Sequence, residues 1–235
     1  ERLSLARFRI DSTAYQGVIP TAGQVALDHL VLPTDAIQDP QARRMLERFG
    51  YGQIDFSMFI DSEWQTAGNT LLVKDFQLVF GGMGRLAAQF ALGNISLEAM
   101  QSDVAIQAAL PEITLEDGSL TFQDETIVGT GLVLLAEQMG FNVPIEQFRQ
   151  QFAGAIPLLL SFATAADPQM AALVNKSGLL SQLTPAVSEL VAYEGGSITF
   201  TLDPPTPVRL MSIGGIAQSA PETLAAVLGL SISGE

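Results

Sequence analysis

Hydrophobic and polar residues alternate along residues 52–94, in three successive runs. The apolar positions are Ile54, Phe56, Met58 and Ile60, then Leu72, Phe76, Leu78 and Phe80, then Leu86, Ala88, Phe90 and Leu92. A period of two over runs of this length is typical of strands that bury one face. The connections, residues 62–69 and 81–84, are too short for a parallel crossover. The pattern therefore predicts an antiparallel β-meander.

Shorter alternating runs predict further strands before and after the meander. They cover residues 3–10, 25–32 and 197–202, and residues 230–233 supply a last edge strand. Two more runs lie on either side of Asp117-Gly118, and an Asp-Gly pair in that setting predicts a hairpin.

After Asp124 the apolar residues follow the spacing of helices. Thr126 and Gly140 bracket one helix, whose apolar stripe is Val128, Leu132, Leu135 and Met139, and Pro144 opens the next. Cap-then-proline pairs at 39–40, 167–168 and 184–185 predict three more helices, and Pro221 begins a short one. Residues 95–109 fit a helix or a strand. Strands followed by a helical block indicate an α+β fold, with helices covering one face of an antiparallel sheet.

The chain is long enough to bury a complete core, at 235 residues and 25.0 kDa. We predict a single α+β domain over residues 1–235. Its seam falls near residues 95–110, between a strand-rich half (1–95) and a helix-rich half (110–235).

Composition and charge limit the classes of partner that the protein can bind. Hydrophobic residues make up 48% of the chain and charged residues only 15%, where about 25% charged is typical. The net charge of −14 repels phosphate backbones, so we predict no nucleic-acid partner. The longest uncharged apolar run, residues 150–166, is interrupted by Pro157 and is too short to span a bilayer, so it predicts a buried core helix.

Few side chains are suited to catalysis or metal binding. The chain has no cysteine and one histidine, which removes thiol catalysis and leaves too few ligands for zinc. We interpret His29 as a structural residue of a strand, and predict a non-enzymatic protein without catalytic residues, metal or cofactor. Close carboxylate pairs remain, which we interpret as solvated turn residues: Asp61 with Glu63, Glu116 with Asp117, and Asp124 with Glu125. A carboxylate-based hydrolase is the minor alternative.

The helical block has more apolar surface than one helix stripe requires. The simplest interpretation of this excess is a core helix that is buried on all sides. The more specific hypothesis is a cavity or groove that binds a lipid-like ligand, formed by Met139, Phe148, Phe152, Ile156, Leu159, Leu160 and Phe162. The alternative is a docking surface for another protein. Trp64, in the connection after the first meander strand, is the candidate partner-binding residue.

Part of the meander resembles a known family. Residues 69–78 read Asn-Thr-Leu-Leu-Val-Lys-Asp-Phe-Gln-Leu, and residues 84–95 read Gly-Arg-Leu-Ala-Ala-Gln-Phe-Ala-Leu-Gly-Asn-Ile. This stretch is similar to strand modules of bacterial envelope proteins of the AsmA-like and YdgA-like kind. The resemblance implies a periplasmic location, a tether to the inner membrane, and a role in lipid handling or assembly.

The expectation from sequence is therefore a periplasmic protein that binds an apolar ligand. The alternative is an accessory subunit that docks onto a membrane-associated protein complex. Because the chain opens in strand-like alternation without Met, we interpret it as a mature or trimmed product, whose missing N-terminal segment supplied the membrane tether.

Overall fold

A computed structural model describes residues 3–99, 102–166, 171, 174 and 177–235. The strands are β1 (Ser4–Gln16), β2 (Ile19–Pro33), β3 (Gln53–Gln65), β4 (Thr70–Phe80), β5 (Gly84–Gly93), β6 (Thr114–Asp124), β7 (Ser197–Leu202), β8 (Val208–Arg209) and β9 (Leu230–Gly234). They form one antiparallel sheet in the order β1-β2-β3-β4-β5-β6-β7-β9, and β8 pairs with β6 beside that path. Neighbours along the chain are mostly neighbours in the sheet, so the predicted meander is confirmed.

Helices lie in the connections between β2 and β3 and between β5 and β6, and the remaining helices follow β6. The α-helices are α1 (Pro40–Arg48), α2 (Asp103–Ala109), α3 (Ile127–Gln138), α4 (Ile145–Ala166), α5 (Leu180–Ala192), α6 (Leu210–Ser219) and α7 (Pro221–Leu228). Short 3₁₀ turns lie at Thr34–Ala36 and Leu110–Glu112. The predicted α+β class, with an antiparallel sheet, is confirmed.

Local chemistry sets several helix ends as the sequence predicts. The Asp39 carboxylate accepts the backbone N–H of Gln41 over 2.7 Å at the start of α1, and Pro40 occupies the first helical position. Gly140 follows α3 with φ 73°, and Gly229 ends α7 with φ 55°, both in the left-handed region that glycine tolerates.

The hairpin predicted at Asp117-Gly118 is wrong, because β6 runs through this pair without turning. Asp117 pairs with Ala91, and Gly118 pairs with Phe90 on one side and Leu202 on the other. A register shift between Ala91 and Leu92 marks a β-bulge at this point. The extra residue is therefore absorbed as a bulge within a central strand, where a turn would break two ladders.

Two helix predictions differ from the structure. Thr184-Pro185 was expected to open a helix, but α5 begins at Leu180 and holds Pro185 inside it. Helix α6 was not predicted, because Gly214 and Gly215 in its centre weaken helix propensity. The helix start predicted at residues 167–168 lies outside the described residues.

The helices with the main contacts to the sheet are α5, α6 and α7, which lie over its β7–β9 end. Helix α5 packs on β7 and β9, where Gly234 lies so close to the backbone of Ala186 that a side chain would not fit. Helices α6 and α7 cover a hydrophobic cluster on the same face of the sheet, which is built around Leu115, Val208 and Leu228. The helices also form their own core between α3, α4 and α5, from Leu132, Ala136, Phe148, Ala153, Ile156 and Val191.

One sheet includes strands from both sides of the predicted seam at residues 95–110. Strands β5 and β6 pair from Gly84 opposite Asp124 to Gly93 opposite Thr114. The connection between them contains α2 and returns the chain antiparallel.

Candidate functional site

Two rows of apolar side chains cross the sheet on the face that carries the helices. Residues opposite each other in antiparallel strands point to the same face, so the pairing register gives the rows directly. The first row is Phe8, Leu27, Met58, Leu78, Leu86, Phe122 and Ile198, and the second is Ile10, Val25, Ile60, Phe76, Ala88, Leu120, Phe200 and Ile232. These two rows are called the apolar strip below.

The opposite face of the sheet is far more polar. The row between the two apolar rows is Arg9, Ala26, Phe59, Gln77, Ala87, Thr121, Thr199 and Ser233. Hydroxyl groups meet across this face, with Thr121 Oγ1 2.8 Å from Thr199 Oγ1. Because the two faces differ in this way, the sheet is amphipathic across its full width.

Exposure along the apolar strip is lowest on β7 and highest on β1, but it does not change steadily, since Leu120 on β6 is 40% exposed. Ile198, beneath the helices, is 7% exposed, whereas Phe8 and Ile10 on β1 are 56% and 63% exposed. The strip residues on β2–β5 are half-buried. The main contacts of the described helices with the sheet are at β7, β8 and β9. The strip therefore leaves the helical layer and continues as an open apolar surface.

An apolar groove adjoins the strip where α1 and α3 approach the sheet. Its volume is about 430 Å³, within the size range of small-molecule pockets. Leu46 of α1 and Ile127 of α3 form its rims. Its floor is formed by Ile54, Phe80, Met83, Leu86 and Phe122. Leu86 and Phe122 also belong to the strip, so the groove and the strip form one continuous apolar surface.

Hydrogen bonds hold the walls of this groove in place. The Met83 carbonyl oxygen accepts the backbone N–H groups of Glu125, Thr126 and Ile127, over 3.1, 3.2 and 3.3 Å. Thr126 also donates its hydroxyl to the Gly82 carbonyl and lies 2.7 Å from the Tyr51 hydroxyl. The β4–β5 loop, the chain after α1 and the start of α3 are thus joined at one point.

The structure divides the seven predicted ligand residues into two groups. Phe148 and Ile156 are buried in the core between α3, α4 and α5, and Phe152 and Leu160 pack against it. The others are exposed: Met139, Leu159 and Phe162. Core packing accounts for the first group, whereas Leu159 and Phe162 of α4 lie outside that core. The ligand-binding role of these residues stays a prediction.

Trp64 lies within β3 and not in the connection where the sequence placed it. Its side chain is 5% exposed, and its indole Nε1 donates to the Ile95 carbonyl oxygen over 2.7 Å. The side chain therefore fixes the segment that follows β5. A docking role for Trp64 stays a prediction, and it would require the indole to leave this buried position.

A second, polar cavity of about 620 Å³ lies between α3, α4 and the end of α5. Arg149, 7% exposed, donates from Nη1 to the carbonyl oxygens of Val191 and Tyr193 over 3.2 and 3.0 Å. A cation at these carbonyls also complements the negative end of the α5 dipole. Glu146 and Glu194 line the same cavity, so its charge is mixed. Arg149 thus joins α4 to the end of α5, together with Gln150, which donates to the Ala192 carbonyl oxygen over 3.3 Å.

The single histidine lies beside a bulge in β2. His29 has φ 52°, and its Nδ1 lies 2.9 Å from a carboxylate oxygen of Asp55 on β3. That hydrogen bond, with the charge of Asp55, raises the pKa of His29 above its ordinary value. The side chain is exposed and belongs to neither cavity.

The carboxylate pairs differ in their surroundings. Glu63 forms an ion pair with Lys74, and Asp61 accepts a hydrogen bond from Gln24 over 2.9 Å. Asp124 is fully buried and accepts the Val128 backbone N–H over 3.0 Å. The expectation of solvated turn residues is therefore wrong for Asp124, and also for Asp61 and Glu63 within β3 and for Glu116 and Asp117 within β6. Among the described residues, no group of three or more such side chains is arranged to hold a metal ion.

A family model described as "Uncharacterized protein" matches residues 77–235. The chain belongs to that family. The matched region begins within β4 and contains β5–β9 and α2–α7, and hence most of the groove floor and the α3 rim. No curated protein and no solved structure matches the chain. Within the described part of the chain, no helix is long and apolar enough to cross a membrane.

Proposed function

We propose that this protein binds a lipid-like apolar ligand, without catalysis, in the groove and along the apolar strip. The observation that carries the proposal is the alignment of the two apolar rows, which cross the sheet from β1 to β7 and leave the helical layer. Large exposed apolar surfaces on proteins mark binding sites for apolar partners.

The dimensions of the strip suit an extended acyl chain. Neighbouring strands lie about 4.8 Å apart, so seven strands place the ends of a row about 29 Å apart. The hydrocarbon core of a bilayer is about 30 Å thick and holds two leaflets, so one acyl chain needs about half that length. The strip accommodates such a chain across the strands, with its end in the groove.

Burial of methylene groups supplies the binding energy in this proposal. Each methylene removed from water contributes about 0.8 kcal/mol, so ten of them contribute about 8 kcal/mol before the costs of association. The net charge of −14 gives no general attraction to anionic head groups. Contact with the hydrocarbon chain, rather than with the head group, therefore governs affinity.

The proposed location is the bacterial periplasm, beside the inner membrane to which the protein is tethered. The resemblance of residues 69–78 and 84–95 to strand modules of AsmA-like and YdgA-like envelope proteins supports this location. An amphipathic sheet with an uncovered apolar strip also suits a protein that receives lipid from a membrane.

A fluorescent fatty acid, whose emission rises in an apolar environment, tests the proposal in solution. Phe80→Asp places a charge in the groove at a residue that is already 38% exposed. We expect its affinity to fall at least about tenfold, equivalent to about 1.4 kcal/mol. Leu46→Asp, on the α1 rim, gives an independent second variant.

Val104→Asp on α2 is the matched control, because Val104 is exposed and lies outside the groove. We expect this variant to bind the fatty acid as the unmodified chain does. Equal affinities for Phe80→Asp, Leu46→Asp and the unmodified chain, with unfolding temperatures unchanged, contradict the proposed site.

A second function, docking onto a membrane-associated protein complex, is favoured by one observation. Leu158, Leu159 and Phe162 are exposed along α4, outside the helical core. We expect Phe162→Lys to abolish co-purification with an envelope partner if this surface docks. Retention of the same partners by the variant contradicts this function.

A further inference from the structure

Strand β1 is one edge of the sheet, and β9 is the other. Strand β1 is 13 residues long, and every one of its residues is exposed. Within the part of the chain that the structure describes, β1 pairs with β2 on one side and with no strand on the other. Its outer backbone N–H and C=O groups are thus a template for another strand. The apolar strip runs to this edge through Phe8 and Ile10.

The side chains of β1 are complementary to a second β1 that runs antiparallel. Phe8 and Ile10 lie on the strip face, and Arg7, Arg9 and Asp11 lie on the opposite face. In a register centred on Arg9, Phe8 lies opposite Ile10 of the partner subunit. In the same register, Arg7 lies opposite Asp11 of the partner subunit. Two-fold symmetry forms each of these pairs twice.

We propose that two copies of this chain associate through their β1 strands, antiparallel and centred on Arg9. The two-fold axis stands perpendicular to the sheet, so the apolar strips of the two copies join into one. A two-fold interface uses both free β1 edges and closes the assembly at a dimer. The proposal does not depend on what ligand the strip binds.

Charge on the polar face supports this register. Arg9 and Asp11 already form an ion pair within β1, at 2.8 Å, and Arg7 pairs with Asp28 of β2 at 2.6 Å. In the dimer each Asp11 lies between its own Arg9 and Arg7 of the partner subunit. This alternation of charges offsets the approach of the two Arg9 side chains at the axis. Like-charged pairs directly opposite each other are otherwise destabilising.

The mass of the full chain in solution is the first test. Light scattering after size-exclusion chromatography is expected to give twice the 25.0 kDa of the chain. The double variant Phe8→Lys, Ile10→Lys places lysines opposite each other at the interface, on residues already more than half exposed, and we expect a monomer. Val104→Lys, on the exposed side of α2, is the control that stays dimeric. A monomeric unmodified chain up to about 100 µM, or a dimeric double variant, overturns the proposal.

The register is tested by cysteine crosslinking, since the chain has no cysteine of its own. Arg9→Cys places two thiols opposite each other at the axis, where paired β-carbons lie about 4.5–5.5 Å apart and a disulfide forms after a small adjustment. Tyr15→Cys, also exposed on β1, lies about 40 Å from its copy in this register, because strands rise about 3.4 Å per residue. Under mild oxidation we expect covalent dimers from Arg9→Cys alone. Equal crosslinking of both variants, or none in either, overturns the proposed register.

Discussion

Gly129 lies directly against the guanidinium group of Arg149, whose Nη2 fills the space that a β-carbon at position 129 would take. The contact brings the first turn of α3 onto α4. Arg149 is buried and tied to the end of α5 through two carbonyl oxygens, so it has little freedom to move away.

Gly129→Ala is therefore expected to destabilise the protein, although alanine favours helices. We expect the free energy of unfolding to fall by about 1–3 kcal/mol in urea denaturation, the usual cost of overpacking. Gly131→Ala is the matched control on the same helix, because its β-carbon meets only Phe49, at 4.0 Å. We expect Gly131→Ala to be neutral or slightly stabilising. Equal effects of the two substitutions contradict this account of Arg149.

Trp64→Phe keeps most of the apolar packing of this residue and removes its hydrogen bond to the Ile95 carbonyl oxygen. We expect a loss of about 1–3 kcal/mol, because a buried acceptor is left without a partner. Trp64→Ala is expected to cost more, about 3–5 kcal/mol. Urea denaturation of both variants measures these losses. A stability unchanged by Trp64→Ala shows that the indole does not hold the segment after β5.

His29 gives the chain a pH-dependent contribution to stability. Asp55 raises the pKa of His29 in the folded state, so the protonated imidazole favours folding. This contribution is complete below the unfolded pKa, about 6.5, and is lost as pH rises through the higher folded value. NMR titration of this single histidine gives its folded pKa directly, and we expect Asp55→Asn to lower it. An unchanged pKa in Asp55→Asn excludes this ion pair as the cause.

Thermal unfolding between pH 5.5 and 8.5 measures the same linkage through stability. We expect His29→Gln to flatten that part of the profile, while the unmodified chain loses stability as pH rises. Because the His29 side chain is 65% exposed and that of Asp55 is 31% exposed, salt is expected to weaken the effect.

Features set by short-range chemistry were predictable from the sequence. The alternation in 52–94 defines β3, β4 and β5, and Asp39-Pro40 defines the start of α1, because these signals act within a few residues. The Asp117-Gly118 pair gave a wrong prediction. Although this pair favours a hairpin, β6 stays extended here because it pairs with a strand on each side. The residues around Asp117 do not indicate this outcome, because it depends on pairing with β5 and β7, which are distant in the sequence.

The candidate site was predictable only in part, for the same reason. Alternation shows that Met58 and Leu78 each face one side of their strand, but only the register shows that they lie opposite each other. The apolar excess of α4 predicted a ligand cavity there, whereas Phe148 and Ile156 are used in packing α3, α4 and α5 together. The groove instead combines residues far apart in the chain, such as Leu46 and Ile127.

The central claim, that the apolar strip and groove hold a lipid-like ligand, is tested most directly by native mass spectrometry of the full chain, purified without detergent from a bacterial periplasm. We predict a population heavier than the chain, whose added mass is removed by organic solvent and recovered as lipid, and which Phe80→Asp diminishes. A mass equal to that of the protein alone, with no lipid in the extract, contradicts the claim.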